Sequence, residues 1–344
     1  MRSYSNQSLT AAPFVYTRLP VFGMHIAVLS LLSIQILILI ITADFYALLN
    51  ILIAVLGVLA VENVITYSNS SKFNLSLETI ISGLLIGFFM PTGIGFIFVF
   101  ILSAFSVFIV KIAFGGTGRN WINPVALAVC IAYISRPEAF PPLISGFSLL
   151  SEKGSFFAVM EANGLVKLKT DFTITSALNS LLLHSVGVTL PEGYISLFLN
   201  STSSIPAFRY NIITLISSII LFSIRVADYI LPAAFLASYA LLVWAFGMVP
   251  VSNAYFAGDI LSAVLTGGVL FTSFFVMNEP ASSPKTKYGK AMGGIFTGIC
   301  AFFICGHGAS PAGIFFAVIL CNIISPLIEI LEIKIQAKKR KLYE

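Results

Sequence analysis

The chain has 344 residues, 58% of them apolar and 10% charged, with a mean hydropathy of +0.99. A soluble domain carries about 25% charged residues to coat its surface, so this composition excludes a water-soluble globule and leaves lipid as the main solvent. The net charge of +5 sits at the ends of apolar segments and in the tail Lys338-Lys339-Arg340-Lys341. That is a membrane-orienting pattern, not a nucleic-acid surface.

Taken in chain order, the first 20 residues are polar and aromatic, with no cleavage-site pattern after the first apolar run, so no removable leader is expected. A helix needs roughly 20 apolar residues to cross the hydrocarbon core. Ten spans are predicted, near residues 22–41, 46–66, 76–90, 94–114, 121–135, 211–225, 229–248, 258–277, 291–306 and 311–331. The third, fifth and ninth are short, and short spans beside Gly/Pro breaks read as helices broken or sunk within a bundle.

With both termini cytoplasmic, Lys and Arg residues outside one long loop all fall on the inside, in line with the positive-inside rule. The exceptions, Arg136, Lys153, Lys167, Lys169 and Arg209, belong to the loop 136–210, and long segments cross largely regardless of charge. This loop exceeds the length of a mere connection. It contains Phe156-Phe157-Ala158-Val159-Met160, and Ala177 to Val188 reads as an amphipathic or re-entrant helix. It is expected to pack on the outer face.

An internal repeat is also expected. Ser82-Gly83 with Phe88-Phe89-Met90-Pro91 echoes Thr266-Gly267 with Phe274-Phe275-Val276-Met277. Likewise Gly115-Gly116-Thr117-Gly118 with Asn123-Pro124-Val125-Ala126 echoes Gly306-His307-Gly308 with Ser310-Pro311-Ala312. An offset of five helices would make the halves inverted, with a site or pathway near the midplane. The organisation read from the sequence is an all-α integral membrane protein: residues 1–135 a first five-helix repeat, 136–210 an extracytoplasmic loop, 211–331 a second five-helix repeat, and 332–344 a basic cytoplasmic tail.

Two strings stand out. Phe114-Gly115-Gly116-Thr117-Gly118-Arg119-Asn120-Trp121-Ile122-Asn123-Pro124 is a glycine-rich turn entering a helix, with Asn123 as N-cap and Pro124 in the first turn. A tight turn with a capped helix explains that pattern alone; an N-terminus at membrane depth also offers free N–H groups to a ligand. The second, Met277-Asn278-Glu279-Pro280-Ala281-Ser282-Ser283-Pro284, ends a span and leads into Lys285, Lys287 and Lys290. It leaves Glu279 at the membrane edge, where carboxylates usually have a partner or a task.

Together these strings resemble the family that joins the RnfD protein of the Rnf ferredoxin:NAD oxidoreductase complex and the NqrB protein of the sodium-pumping NADH:quinone reductase. Gly115, Gly116, Gly118, Asn120, Asn123 and Pro124 match its glycine-asparagine string, with Ile122 in place of Phe. Asn278 to Pro284 matches its Thr-Asp-Pro-x-Thr-Ser-Pro string with several substitutions. Leu265-Thr266-Gly267-Gly268 and Gly313, Asn322 and Pro326 add to the likeness, which runs from about residue 20 to 330, and the length favours the Rnf-type protein. The resemblance implies an electron-transfer subunit within a multi-subunit complex of the bacterial cytoplasmic membrane that moves Na+ or H+. It also implies an FMN joined through its phosphate to a hydroxyl of the outer loop, in an Asp-x-x-(Ser/Thr)-Gly-Ala-(Thr/Ser) motif. Here that stretch is Asp171-Phe172-Thr173-Ile174-Thr175-Ser176-Ala177-Leu178. Registered on the leucine, Ser176 is the acceptor and Thr173 the earlier hydroxyl; in the other register Thr175 is the acceptor. Ile174 replaces the glycine and stiffens the chain. A bland alternative is a Ser/Thr-rich helix start capped by Asp171 or Thr173.

Ionisable residues inside spans are costly and usually pair or line a path. Glu62 and Glu279 are the pathway candidates, whereas Arg225 and Asp228, three apart, are expected to pair with each other. His25, His184 and His307 are scattered, and Cys130, Cys300, Cys305 and Cys321 read as small buried hydrophobes. Nucleotide fingerprints and catalytic triads are absent from the sequence, so nicotinamide or ferredoxin chemistry is assigned to partner subunits. The rival functions are an inverted-repeat transporter or channel and a structural membrane subunit, both without flavin.

Overall fold

The structure, a computed structural model, describes residues 19–70, 76–115, 118, 120–141, 166–187, 189–199, 203–247, 258–305 and 310–343. Among these every regular element is helical. In chain order they are α1 (Val21–Ile41), α2 (Phe45–Ser70), α3 (Leu77–Phe89), α4 (Phe96–Val107), α5 (Pro124–Ser135), α6 (Asp171–Leu178), α7 (Tyr194–Phe198), α8 (Asn211–Ser223), α9 (Ile230–Gly247), α10 (Ile260–Leu265), α11 (Val269–Phe271), α12 (Lys287–Cys305) and α13 (Gly313–Tyr343). Wider π turns extend α4 over Phe108–Ile112, α6 over Asn179–Leu183 and α11 over Thr272–Val276.

Five helices, α1, α2, α9, α12 and α13, are long and apolar enough to cross a bilayer. Four shorter apolar helices, α3, α4 with its π turn, α5 and α8, accompany them. Outward faces carry large apolar side chains such as Ile41, Ile97 and Ile134, each at least 70% exposed. Only lipid tolerates so much uncovered hydrocarbon. This is an all-helical integral membrane protein.

At 1.5 Å per residue, the 12-residue α5 rises about 18 Å, well short of the roughly 30 Å hydrocarbon core. Its first N–H groups are satisfied within the protein by Asn123, whose Oδ1 accepts from Val125 and Ala126 at 2.9 and 3.1 Å. Ser310 does the same for α13, accepting from Gly313 N–H at 3.1 Å. Both caps precede a proline, as the sequence echo anticipates.

Span eight is not one helix. α10 ends at Leu265, the chain takes left-handed φ values of 61° and 68° at Gly267 and Gly268, and α11 restarts the helix. Span nine, expected to be short, is instead the 19-residue α12, because Lys287 and Lys290 lie inside its first turns. Lysines depress a hydropathy window, yet their alkyl stems can line the helix while the heads reach polar partners. The last helix, α13, continues to Tyr343, with Pro326 inside it.

The tightest helix pair is α9 with α12. A methyl on Gly298 would press into the Phe235 carbonyl at 2.8 Å, and one on Gly294 into the Leu231 carbonyl at 2.6 Å. Small residues four apart let backbones approach where no hydrophobic drive separates lipid from protein. At the centre, Phe89 of α3 meets Phe315 of α13 edge-on at 4.7 Å and Phe271 of α11 at 5.2 Å. This dry aromatic contact joins the first five spans to the last five.

Polar ties across the bundle define two faces. On the face of the long loop, Arg209 donates to Asp44 of the α1–α2 turn at 2.6 Å, and Thr92 N–H donates to the Ser204 carbonyl at 2.9 Å. On the opposite face, Lys290 meets Asp228 at 2.7 Å. Asp228 thus pairs with α12 rather than with Arg225, whose left-handed φ of 57° shapes the α8–α9 turn. Each tie joins segments that the alternation of spans puts on the same side.

Candidate functional site

On the loop face, α6 starts at Asp171 with Thr170 as N-cap residue and no side-chain cap bond, so neither Asp171 nor Thr173 caps it. Asp171 is fully buried and its carboxylate is used elsewhere. It accepts from Gly193 N–H at 2.7 Å, Ser196 N–H at 2.7 Å, the Ser196 hydroxyl at 2.6 Å and the Thr175 hydroxyl at 3.2 Å. Burial pushes this carboxyl up, but those hydrogen bonds, led by Ser196, outweigh it and hold it below the usual carboxylate range.

The structure separates the hydroxyls that the sequence leaves as alternatives. Thr175 is 2% exposed and points at Asp171. Ser176 and Thr173 lie on the open face of α6, with Ser176 Oγ donating only to its own turn, to the Thr173 carbonyl at 3.0 Å. A phosphoester at this helix needs a hydroxyl that an attaching enzyme can reach. Ser176 and Thr173 meet that requirement, and Thr175 does not. Ile174 is helical, so the position of the missing glycine demands no positive φ here. Phe172, Leu181 and Leu182 flank the hydroxyls with exposed apolar surface. The Phe156–Met160 stretch lies outside the described residues.

On the opposite face, Gly115 and Gly118 take φ values of 104° and 81°, which a side chain would strain; Gly116 lies outside the described residues. The turn delivers Asn120, whose Nδ2 donates to Glu279 at 2.9 Å, while the Ser282 hydroxyl donates to the other Glu279 oxygen at 2.9 Å. Asn123 reaches across to the end of the broken span, Nδ2 donating to the Val276 carbonyl at 2.8 Å. Asn322 of α13 completes the crossing: its Oδ1 accepts from Asn123 N–H at 3.0 Å and its Nδ2 donates to the Ser282 carbonyl at 3.1 Å. The two strings singled out in the sequence are therefore in direct contact. Beside them opens a cleft of about 230 Å³, with Asn120, Trp121, Ser283, Lys285 and Glu329 in its walls. Asn120 Oδ1 is buried there with no donor among the described residues.

Among the described residues Glu62 makes no hydrogen bond to Glu279. It accepts from the Ser76 hydroxyl at 2.8 Å and pairs with Lys111 at 3.5 Å. Lys111 also lies 3.5 Å from Glu78 and donates to Thr79 Oγ1 at 2.6 Å. The π turn at Phe108–Ile112 places that ammonium. Glu78, Thr79 and the amides Asn50 and Asn211 are polar groups that the span-by-span reading passes over. Each is a polar residue beside an apolar run, which is the signal that would have found them. Cys130, Cys305 and Cys321 are buried as small apolar groups, and His307 lies outside the described residues.

The chain matches the model of the NQR2, RnfD, RnfE family over residues 8–338. It is 27% identical over 244 residues to the D-type subunit of the ion-translocating oxidoreductase complex of Vibrio cholerae serotype O1, covering 65% of this chain and 68% of that one. The protein of the same name from Haemophilus influenzae is 26% identical over 286 residues, 75% of each chain. A match that spans nearly the whole chain, with the two family strings packed against one another at the mouth of a cleft, makes this protein a member of the NQR2, RnfD, RnfE family.

Proposed function

We propose that this chain is the membrane subunit of an Rnf-like, ion-translocating electron-transfer complex, and that FMN is joined through its phosphate to Ser176 on α6. The observation that carries the flavin assignment is the division of the hydroxyls: Ser176 is open, and Thr175 is turned in to Asp171. Bound there, FMN supplies one-electron redox chemistry. The chain's own part is to hold α6 rigidly through Asp171 and to keep the attachment point on the outer, extracytoplasmic face. Both termini then lie in the cytoplasm, in the bacterial inner membrane, with other complex subunits supplying donor and acceptor.

The two sets of five spans form inverted repeats in this scheme, supported by the matching caps at Asn123 and Ser310. Na+ or H+ passes between them, with Glu279 as the carboxylate at the inner mouth. Glu62 serves as a structural group that shares Lys111 with Glu78.

The test is the flavin fluorescence and intact mass of the purified, denatured chain, with peptide mapping across residues 165–185. A phosphoester-linked FMN is expected in the wild type and in Thr175→Val, and none in Ser176→Ala. A wild-type mass equal to the bare chain removes the flavin assignment and favours a transporter or structural subunit. Glu279→Gln is expected to lower ion movement per electron while the complex still assembles; unchanged coupling removes Glu279 from the path.

A further inference from the structure

Between the open face of α6 and the broken eighth span runs a chain of polar bonds that the function above leaves unused. It begins at Asp171, whose Oδ1 holds Gly193 and whose Oδ2 holds both the N–H and hydroxyl of Ser196. Those residues bracket the start of α7, which has five residues and so one rigid turn. Tyr194, the first of them, donates its hydroxyl to Asp259 Oδ2. Asp259 is the N-cap of α10, accepting from Ser262 N–H at 3.0 Å and the Ser262 hydroxyl at 2.7 Å. Farther along, one amide ties the other ends: Asn211 Nδ2 donates to the Leu197 carbonyl at 3.0 Å and to the Leu265 carbonyl at 2.8 Å. α10 is therefore held at its cap by the loop and at its last carbonyl by Asn211, the first residue of α8, which also binds the loop at Leu197.

Just past Leu265 the chain breaks at Gly267 and Gly268, both with positive φ. The Phe208 ring, also from the loop, occupies the space that a Gly268 side chain would need. A break of this kind can absorb backbone rotation. α10 is then a six-residue lever on the outer, loop side of the hinge, and the loop holds its cap.

We propose that α7 is a mechanical coupler, with Tyr194 its positioning residue, that transmits displacement of α6 to α10 and sets the angle of α10 against α11. The proposal rests on flavin at Ser176. Ser176 stands five residues, roughly 7–8 Å of helix rise, from Asp171, so a load on a group attached there is carried by the same short helix that Asp171 anchors. Apart from Asp171 and Thr175, the side chains of α6 are exposed or only half-buried, so a force on the helix is delivered largely at that carboxylate. The partners of Asp171 are neutral donors. It can follow α6 without breaking an ion pair.

The experiment is amide hydrogen exchange of the peptide covering residues 258–268 in the assembled complex in nanodiscs, air-oxidised against dithionite-reduced, beside flavin fluorescence of the denatured chain. In the wild type, reduction is expected to change exchange there roughly fivefold, a local opening equilibrium. Tyr194→Phe deletes one hydroxyl, and should abolish that change while flavin stays attached. Asp259→Ser keeps a good helix cap but is too short to reach Tyr194, and should behave alike; it carries the test should Tyr194→Phe not assemble. A redox response retained in either assembled variant overturns the coupler. So does a wild type that carries flavin but shows no response, and that result leaves the flavin assignment standing. A wild type without flavin instead overturns the assignment, and the coupler with it.

Discussion

Replacing Asn123 tests whether the crossing of the two family strings holds the bundle together. Its side chain does two jobs. Oδ1 caps α5 through Val125 and Ala126, and Nδ2 satisfies the Val276 carbonyl. Loss of an N-cap costs about 0.5–2 kcal/mol. An orphaned buried carbonyl costs about 1–3 kcal/mol, and Asn123 is only 2% exposed, so water offers little relief. Asn123→Ala should therefore destabilise by about 1.5–5 kcal/mol. Asn123→Ser keeps a capping oxygen but cannot span to Val276, so it should lose only the about 1–3 kcal/mol of the bridge. The assay is reversible SDS unfolding in mixed micelles followed by tryptophan fluorescence, for which Trp121 is a neighbouring reporter. Equal losses for Ala and Ser would show that the cap contributes nothing. A serine variant as stable as the wild type would refute the bridge.

Two further outcomes follow from the buried charges. The Asp171 carboxyl is depressed on folding, so its contribution is fully present above the unfolded value of about 3.9 and is lost as pH falls through the lower folded value. Protease accessibility of the outer loop should therefore stay flat from neutral pH down to about pH 4 and rise below it, with Asp171→Asn raising it already at pH 7. Lys111→Met should cost about 3 kcal/mol, the lower end for breaking a buried pair, since Glu78 is partly exposed. Adding Glu62→Gln should recover part of that loss in the same unfolding assay; strictly additive losses would argue against the pairing.

Most of the helical framework is legible in hydrophobic run lengths. Nine of the ten predicted spans coincide with single helices, because burying backbone in lipid leaves a helix little alternative. The break in span eight escapes a hydropathy window because Thr266, Gly267 and Gly268 are not polar enough to interrupt it; the left-handed glycines reveal it. Asn123 as a cap is local chemistry and reads directly from the sequence. Its bond to Val276, 153 residues away, is not local, and neither is the Lys290–Asp228 pair, where sequence proximity points wrongly to Arg225. The choice between Thr175 and Ser176 depends on which side of α6 meets α7. Eight residues of weakly amphipathic helix do not encode that.

Helix α13 has 31 residues, about 46 Å of rod, against roughly 30 Å of hydrocarbon. About 16 Å of it therefore stands clear of the oily layer. Backbone positions 338–341 belong to this rod. Deleting two residues upstream of them would turn that last helical segment by about 200° about the axis and lower it by about 3 Å.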